Sequence, residues 1–191
     1  MTIPSCGMAS FAARDYFSLF GLPVRFAIDL VALDAAWRSV QGAVHPDRFA
    51  GQGDSQRLLA LQYSTQINEA HQTLRDPLRR ASYICKLNGL EIDPERNTVM
   101  PPEFLVQQME WRESLEDALA AQDVRAVAQL EMEVRAAVTE GEILLEHLLD
   151  QNVPDTARAA EEIRCMMFLV KFSAQLREEK RRLSHGTLAN R

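Results

Sequence analysis

Most of this chain does not alternate apolar and polar residues with the two-residue period of a strand. Apolar positions recur every three or four residues instead, a period that argues against sheet and for helices packed on helices. The breaks are as legible as the helices. Asp15 to Phe20 is a short helix ended by Gly21 and Pro23, and Asp29 can cap a second from Leu30 to Val44, which His45 and Pro46 stop. After a glycine-rich stretch from Phe49 to Asp54, Ser55 begins a third helix with apolar positions Leu58, Leu61, Ile67, Ala70 and Leu74. Asp76 caps a fourth, with Pro77 in its first turn and Asn88 and Gly89 at its end.

Between Leu90 and Pro102 the chain turns polar and irregular, and Asp93, Pro94, Asn97, Pro101 and Pro102 break any helix on either side. A domain boundary is expected there. The division is an N-terminal extension over 1–14, a first domain over 15–90, a linker over 91–101, a second domain over 102–183 and a tail over 184–191. The second domain holds three long helices: about Pro102 to Gln122, Val124 to Asn152 with Asp123 as N-cap, and Pro154 to about Leu183. Short connections make neighbours antiparallel, so the expected fold is all-α and ends in an antiparallel three-helix bundle.

With 47% hydrophobic residues the chain has material for a core. The longest purely apolar run, Cys165 to Val170, is far too short to cross a bilayer, and Met1 to Arg14 lacks the make-up of a signal peptide, so a cytoplasmic location is expected. Cys6, Cys85 and Cys165 are scattered without a CxxC pair, which supports neither a disulfide framework nor a zinc knuckle and points to reduced thiols. Charge is divided unevenly. Residues 1–90 carry nine Arg/Lys against seven Asp/Glu, and residues 91–191 carry twelve against twenty. Two units with different partners follow from that, and the acidic second half disfavours nucleic acid.

His45, Pro46 and Asp47 stand where the second helix stops, followed by Arg48 and Phe49. One reading is a histidine favourable to a helix C-terminus with proline as the stop. The other is a rigid pair of contact groups presented to a partner. A catalytic dyad fits less well, because no motif ties a serine or cysteine nucleophile to them. Gly51, Gln52 and Gly53 match neither a phosphate loop nor a dinucleotide fingerprint.

The context of the tripeptide decides between these readings. Asp15, Tyr16, Phe17, Leu19, Gly21 and Leu22 precede it; Ile67, Asn68, Ala70, Leu74, Asp76, Pro77, Arg79, Arg80, Ala81 and Tyr83 follow. Together with Phe104, Leu105, Glu110, Arg112, Glu113 and Leu115, and Phe168, Leu169 and Lys171 near the end, they resemble the HscB family of J-type co-chaperones over roughly residues 15 to 183. The resemblance implies an N-terminal J-domain, a helical hairpin with two short flanking helices, before the three-helix bundle. It implies that His45, Pro46 and Asp47, with Arg38 and Arg48, engage a DnaK/HscA-class chaperone and stimulate its ATPase. The chain itself is then no enzyme. Family members usually carry several basic residues on the second helix; here only Arg38 remains, with Gln41, Gly42, Ala43 and Val44 after it, so encounter should be weaker and less salt-sensitive.

A second surface follows from helical geometry. Phe104, Trp111, Leu115, Ala118 and Leu119 share one face of the first C-terminal helix, while Leu105, Val106 and Met109 gather on another beside Glu110, Glu113 and Asp117. Geometry alone allows an exposed apolar patch or an interdomain contact equally. The resemblance implies the client site for the iron-sulfur scaffold protein IscU, made of Leu105, Val106, Met109, Glu110, Glu113 and Asp117 with Phe168. Val106 and Asp117 replace a methionine and a glutamate of better-known members, and core burial explains Phe168 as well as a client role does.

Metal chemistry finds no footing. His147 follows Glu146 directly, which is not the spacing of a di-iron bundle, and Cys165, Met166 and Met167 lie in an apolar run where packing accounts for them. His71 and His185 read as surface residues. No cofactor and no metal are expected; a bundle with another client, or a helical enzyme or metal sensor, are the rival readings.

Overall fold

Five aspartates stand at helix starts and act by the same chemistry, a carboxylate accepting backbone N–H groups that a first turn leaves unpaired. The computed structural model describes residues 15–44, 54–92 and 99–189. Its described residues form α1 (Tyr16–Leu19), α2 (Leu30–Val44), α3 (Asp54–Arg75), α4 (Pro77–Leu87), α5 (Pro102–Ala120), α6 (Val124–Leu149) and α7 (Thr156–Ala189), with no strand among them. The Asp15 carboxylate accepts from Ser18 N at 2.9 Å, Asp29 from Val31 N and Ala32 N at 2.8 and 3.1 Å, and Asp76 from Arg79 N at 2.9 Å. Asp123 accepts from Arg125 N and Ala126 N at 2.8 and 3.1 Å. The first and fourth helices end as expected, on Gly21 (φ +66) and Gly89 (φ +85), a conformation that favours glycine.

The chain divides into two units, Met1–Ile84 and Cys85–Arg191. In the first, α2 and α3 form an antiparallel hairpin. Trp37 Nε1 donates to Asn68 Oδ1 at 3.0 Å, and His71 Nε2 lies 2.7 Å from Asp34 Oδ1, so residue numbers rise on one helix as they fall on the other. α1 is anchored by its Tyr16 N–H, which donates to Tyr83 Oη at 2.9 Å, and the two rings stack at 4.4 Å. Phe17, Phe26, Leu33, Ile67, Leu74 and Ile84 fill the core.

Two expectations in this unit are corrected. Leu58 and Leu61 are exposed, because the buried stripe of α3 runs through Ala60, Ile67, Ala70 and Leu74, and the other two lie about 100° or more off that face. His71 is a buried residue. It stacks on Trp37 at 4.6 Å and spends its Nε2 on Asp34, so the polar ring is satisfied where a surface position was expected.

The second unit is three antiparallel helices around Trp111, Leu115, Val134, Leu145, Ile163, Met166 and Leu176. α6 and α7 approach closely at Gly141. A Cβ there would stand 2.3 Å from Met166 Sδ and 2.7 Å from Glu162 Oε1. Farther along, Lys180 pairs with Glu131, which sets the antiparallel register. The last helix begins at Thr156, after Asp155 accepts from Arg158 N at 3.1 Å. It does not stop near Leu183. Glu178 pairs with Arg181 and Arg182, Glu179 with Arg182, and Ser184 Oγ donates to Lys180 O, and α7 runs on to Ala189 where a tail was expected.

Candidate interaction surfaces

Arg38 is exposed on α2 and is the sole basic residue of that helix. The carboxyl of Asp34, one turn earlier, is held below the usual carboxylate range, first by its hydrogen bond with His71 and further by Arg75, His71 and Arg38. Gly42, in the same helix, has nothing within 4 Å of the place its Cβ would take, so packing does not require it. His45, Pro46, Asp47 and Arg48 lie outside the described residues. Because α2 and α3 are antiparallel, Val44 and Asp54, which bound that segment, lie at the same end of the hairpin.

The second surface is on α5. Leu105, Val106 and Met109 are 46%, 56% and 62% exposed, beside exposed Glu110, Glu113 and Asp117. Trp111, Leu115 and Ala118 of the same helix are buried, and Phe104 and Leu119 are half-buried, so α5 has one face for the bundle and another for solvent. Three large apolar side chains thus stand together in water on the outer face of α5, bordered by carboxylates.

Phe168 sits half-buried on α7 in an aromatic cluster. Phe104 meets its ring edge-on at 5.9 Å and Phe172 stacks on it at 5.5 Å. The Arg112 guanidinium lies over the same ring, 5.6 Å from its centroid, and so links Phe168 to α5. Sequence reasoning had no role for Arg112, whose aromatic partner lies on another helix. Cys165, Met166 and Leu169 are buried; Val170 is exposed, so the apolar run is not all core. Cys85 and Cys165 are free thiols, pushed up to about 11 by burial.

Between α5, α6 and α7, away from the outer face of α5, lies a cavity of about 640 Å³ lined by Glu103, Phe104, Glu133, Glu140, Glu162 and Leu169 among others. Burial pushes the Glu162 carboxyl up. Among the described residues no three His, Cys, Asp or Glu side chains are grouped so as to hold a metal ion, and no helix is long and apolar enough to cross a membrane.

Comparison with known proteins settles the lineage. The chain is 48% identical over 175 residues to the co-chaperone protein HscB homolog of Burkholderia mallei, covering 90% of this chain and 97% of that one. It belongs to the HscB co-chaperone family. The family model described as the HSCB C-terminal oligomerisation domain matches residues 100–177, which contain α5, α6 and most of α7. The HscB homolog of Burkholderia multivorans is also 48% identical, over 173 residues. Among solved structures, chaperone HscB from Vibrio cholerae matches with a TM-score of 0.79 at 37% identity, covering 89% of this chain and 99% of that one. The human co-chaperone protein HscB matches with a TM-score of 0.80 at 29% identity, covering 88% and 83%. The all-α architecture of a J-domain followed by a helical C-terminal domain agrees with these HscB structures.

Proposed function

We propose that this chain is a cytoplasmic adaptor of iron-sulfur cluster assembly that holds the scaffold protein IscU on its second domain and presents it to a DnaK/HscA-class chaperone, whose ATPase its J-domain stimulates. The observation that carries the reading is the outer face of α5, where exposed Leu105, Val106 and Met109 lie beside Glu110, Glu113 and Asp117, with Phe168 on α7 reached through Arg112. An apolar stripe flanked by carboxylates suits a partner segment that carries apolar residues next to Lys or Arg. On the J-domain side, His45, Pro46 and Asp47 are assigned to the chaperone, with Arg38 and Arg48 as the cations that meet its acidic surface. The first domain is taken as 15–90 and the scaffold-binding domain as 102–183. Hydrolysis belongs to the chaperone, and any cluster belongs to the scaffold.

Two measurements separate the parts. Single-turnover ATPase assays with His45→Gln should lose chaperone stimulation while calorimetric titration with IscU is unchanged; equal stimulation by parent and variant refutes the J-domain assignment. Leu105→Ala, Met109→Ala and Phe168→Ala should each weaken IscU binding. Indifference to all three would mean that the bundle serves another client.

A further inference from the structure

We infer that Arg112 is a recognition residue for a carboxylate of the scaffold partner and that Phe168 acts by positioning it, an inference that rests on the scaffold-binding reading above. The ring of Phe168 offers little surface of its own. Phe172 lies against it at an interplanar angle of 17°, Phe104 meets it at 90°, and the guanidinium of Arg112 covers it. What the bundle presents at this place is Arg112, which is exposed.

Arg112 is the single basic residue of α5, and among the described residues it makes no ion pair, although Glu116 follows one turn later. The ring holds it instead. Held over the ring, the guanidinium keeps its N–H donors available, so a carboxylate can be taken up with less further ordering of the side chain. Position on the helix supplies the rest. Arg112 follows Leu105 by two turns and Met109 by about one, so it lies along one edge of the apolar stripe, while Glu110, Glu113 and Asp117 lie along the other. A partner laid across Leu105 and Met109 meets Glu110, Glu113 and Asp117 on one flank and, on the other, the cation of Arg112 with Glu116 one turn beyond it. The surface therefore selects the direction in which a segment with basic and acidic flanks can lie.

The test is calorimetry of the full chain with IscU for Arg112→Gln, Arg112→Lys, Phe168→Leu and the double variant Arg112→Gln/Phe168→Leu. Arg112→Gln should weaken binding about five-fold, with partial recovery in Arg112→Lys. Phe168→Leu should lose a similar factor, and the double variant should be no worse than the weaker single one, since both changes remove the same contact. Losses that multiply would mean that Phe168 touches the partner itself and overturn the positioning role. An unchanged Arg112→Gln beside a weakened Leu105→Ala overturns the recognition role. If Leu105→Ala and Met109→Ala also bind as the parent does, the scaffold reading fails instead. The positioning is then still tested in the free protein by NMR: ring current should shift the Arg112 side-chain protons upfield, and Phe168→Leu should abolish the shift. A parent protein without that shift refutes it.

Discussion

The same substitution, glycine to alanine, should change stability in opposite directions at Gly42 and Gly141. Both residues lie inside helices, so each alanine gains about 1 kcal/mol of intrinsic helix preference. At Gly42 nothing stands within 4 Å of the new Cβ, and the whole gain should appear as added stability. At Gly141 the Cβ would stand 2.3 Å from Met166 Sδ, 3.0 Å from its Cγ and 2.7 Å from Glu162 Oε1. Met166 is only 1% exposed, so its sulfur cannot swing out to solvent, and relief requires it and the Glu162 carboxyl to shift within the bundle or α6 and α7 to part. Overpacking of this kind costs about 1–3 kcal/mol. Subtracting the preference gain leaves a net loss of about 0–2 kcal/mol, above the lower end because the clashing sulfur is buried.

The two tryptophans make the assay local, since Trp37 belongs to the first unit and Trp111 to the second. Urea unfolding followed by fluorescence in a Trp111→Phe background reports Gly42→Ala, and in a Trp37→Phe background it reports Gly141→Ala. With slopes of about 1–3 kcal/mol per molar urea, the midpoints should move by about 0.5 M, upward for Gly42 and downward for Gly141. A Gly141→Ala protein as stable as its parent would refute the claim that this glycine sets the approach of α6 and α7.

Asp34→Asn should lower stability near neutral pH and lose its effect in acid: the folded carboxyl is held below its ordinary value, so its contribution is present above the unfolded pKa and vanishes as pH falls through the folded one. Thermal unfolding of both proteins from pH 7 to pH 2 checks this, and a difference that persists unchanged to the acid end would contradict it. Asp123→Ala should cost about 1–2 kcal/mol by removing both acceptor bonds at the start of α6, measured in the same urea assay through Trp111. With thiols pushed up to about 11, Cys85 and Cys165 should resist alkylation at pH 8 until denaturant is added; mass spectrometry showing either modified in the folded protein would contradict their burial.

How far the sequence could be read depended on the range of the forces involved. The caps at Asp29, Asp76 and Asp123 were legible because a carboxylate and the N–H groups it accepts lie within three residues of each other. His71 was not legible in that way. Its burial depends on Asp34, thirty-seven residues away, and on the stacked ring of Trp37. In α3 the run Leu58, Leu59, Ala60, Leu61 puts apolar side chains on every side, so periodicity could not choose the inward one and the small Ala60 took the packed position. The end of α7 was missed because the residues after Leu183 carry no apolar periodicity that would mark a helix, although they continue one. On α5 the outward position of the Leu105 stripe followed from residue spacing, but the link from Arg112 to Phe168 needed two helices placed side by side.

The division of α5 into two faces also fixes what binding experiments on it can mean. Its inner residues, Trp111, Leu115 and Ala118, are buried, so cavity-forming or overpacking changes there would destabilise the bundle and weaken any partner indirectly. Leu105, Val106 and Met109 are already in water, and surface substitutions of that kind usually alter stability by no more than about 0.5 kcal/mol. The outer face is therefore free to vary in chemistry, as with valine at Val106 and aspartate at Asp117, without disturbing the core. Phe168 belongs to neither class. It packs against Phe104 and Phe172 while carrying Arg112, so its removal acts on the core and on the surface together, and only Arg112 can be changed without touching the aromatic cluster beneath it.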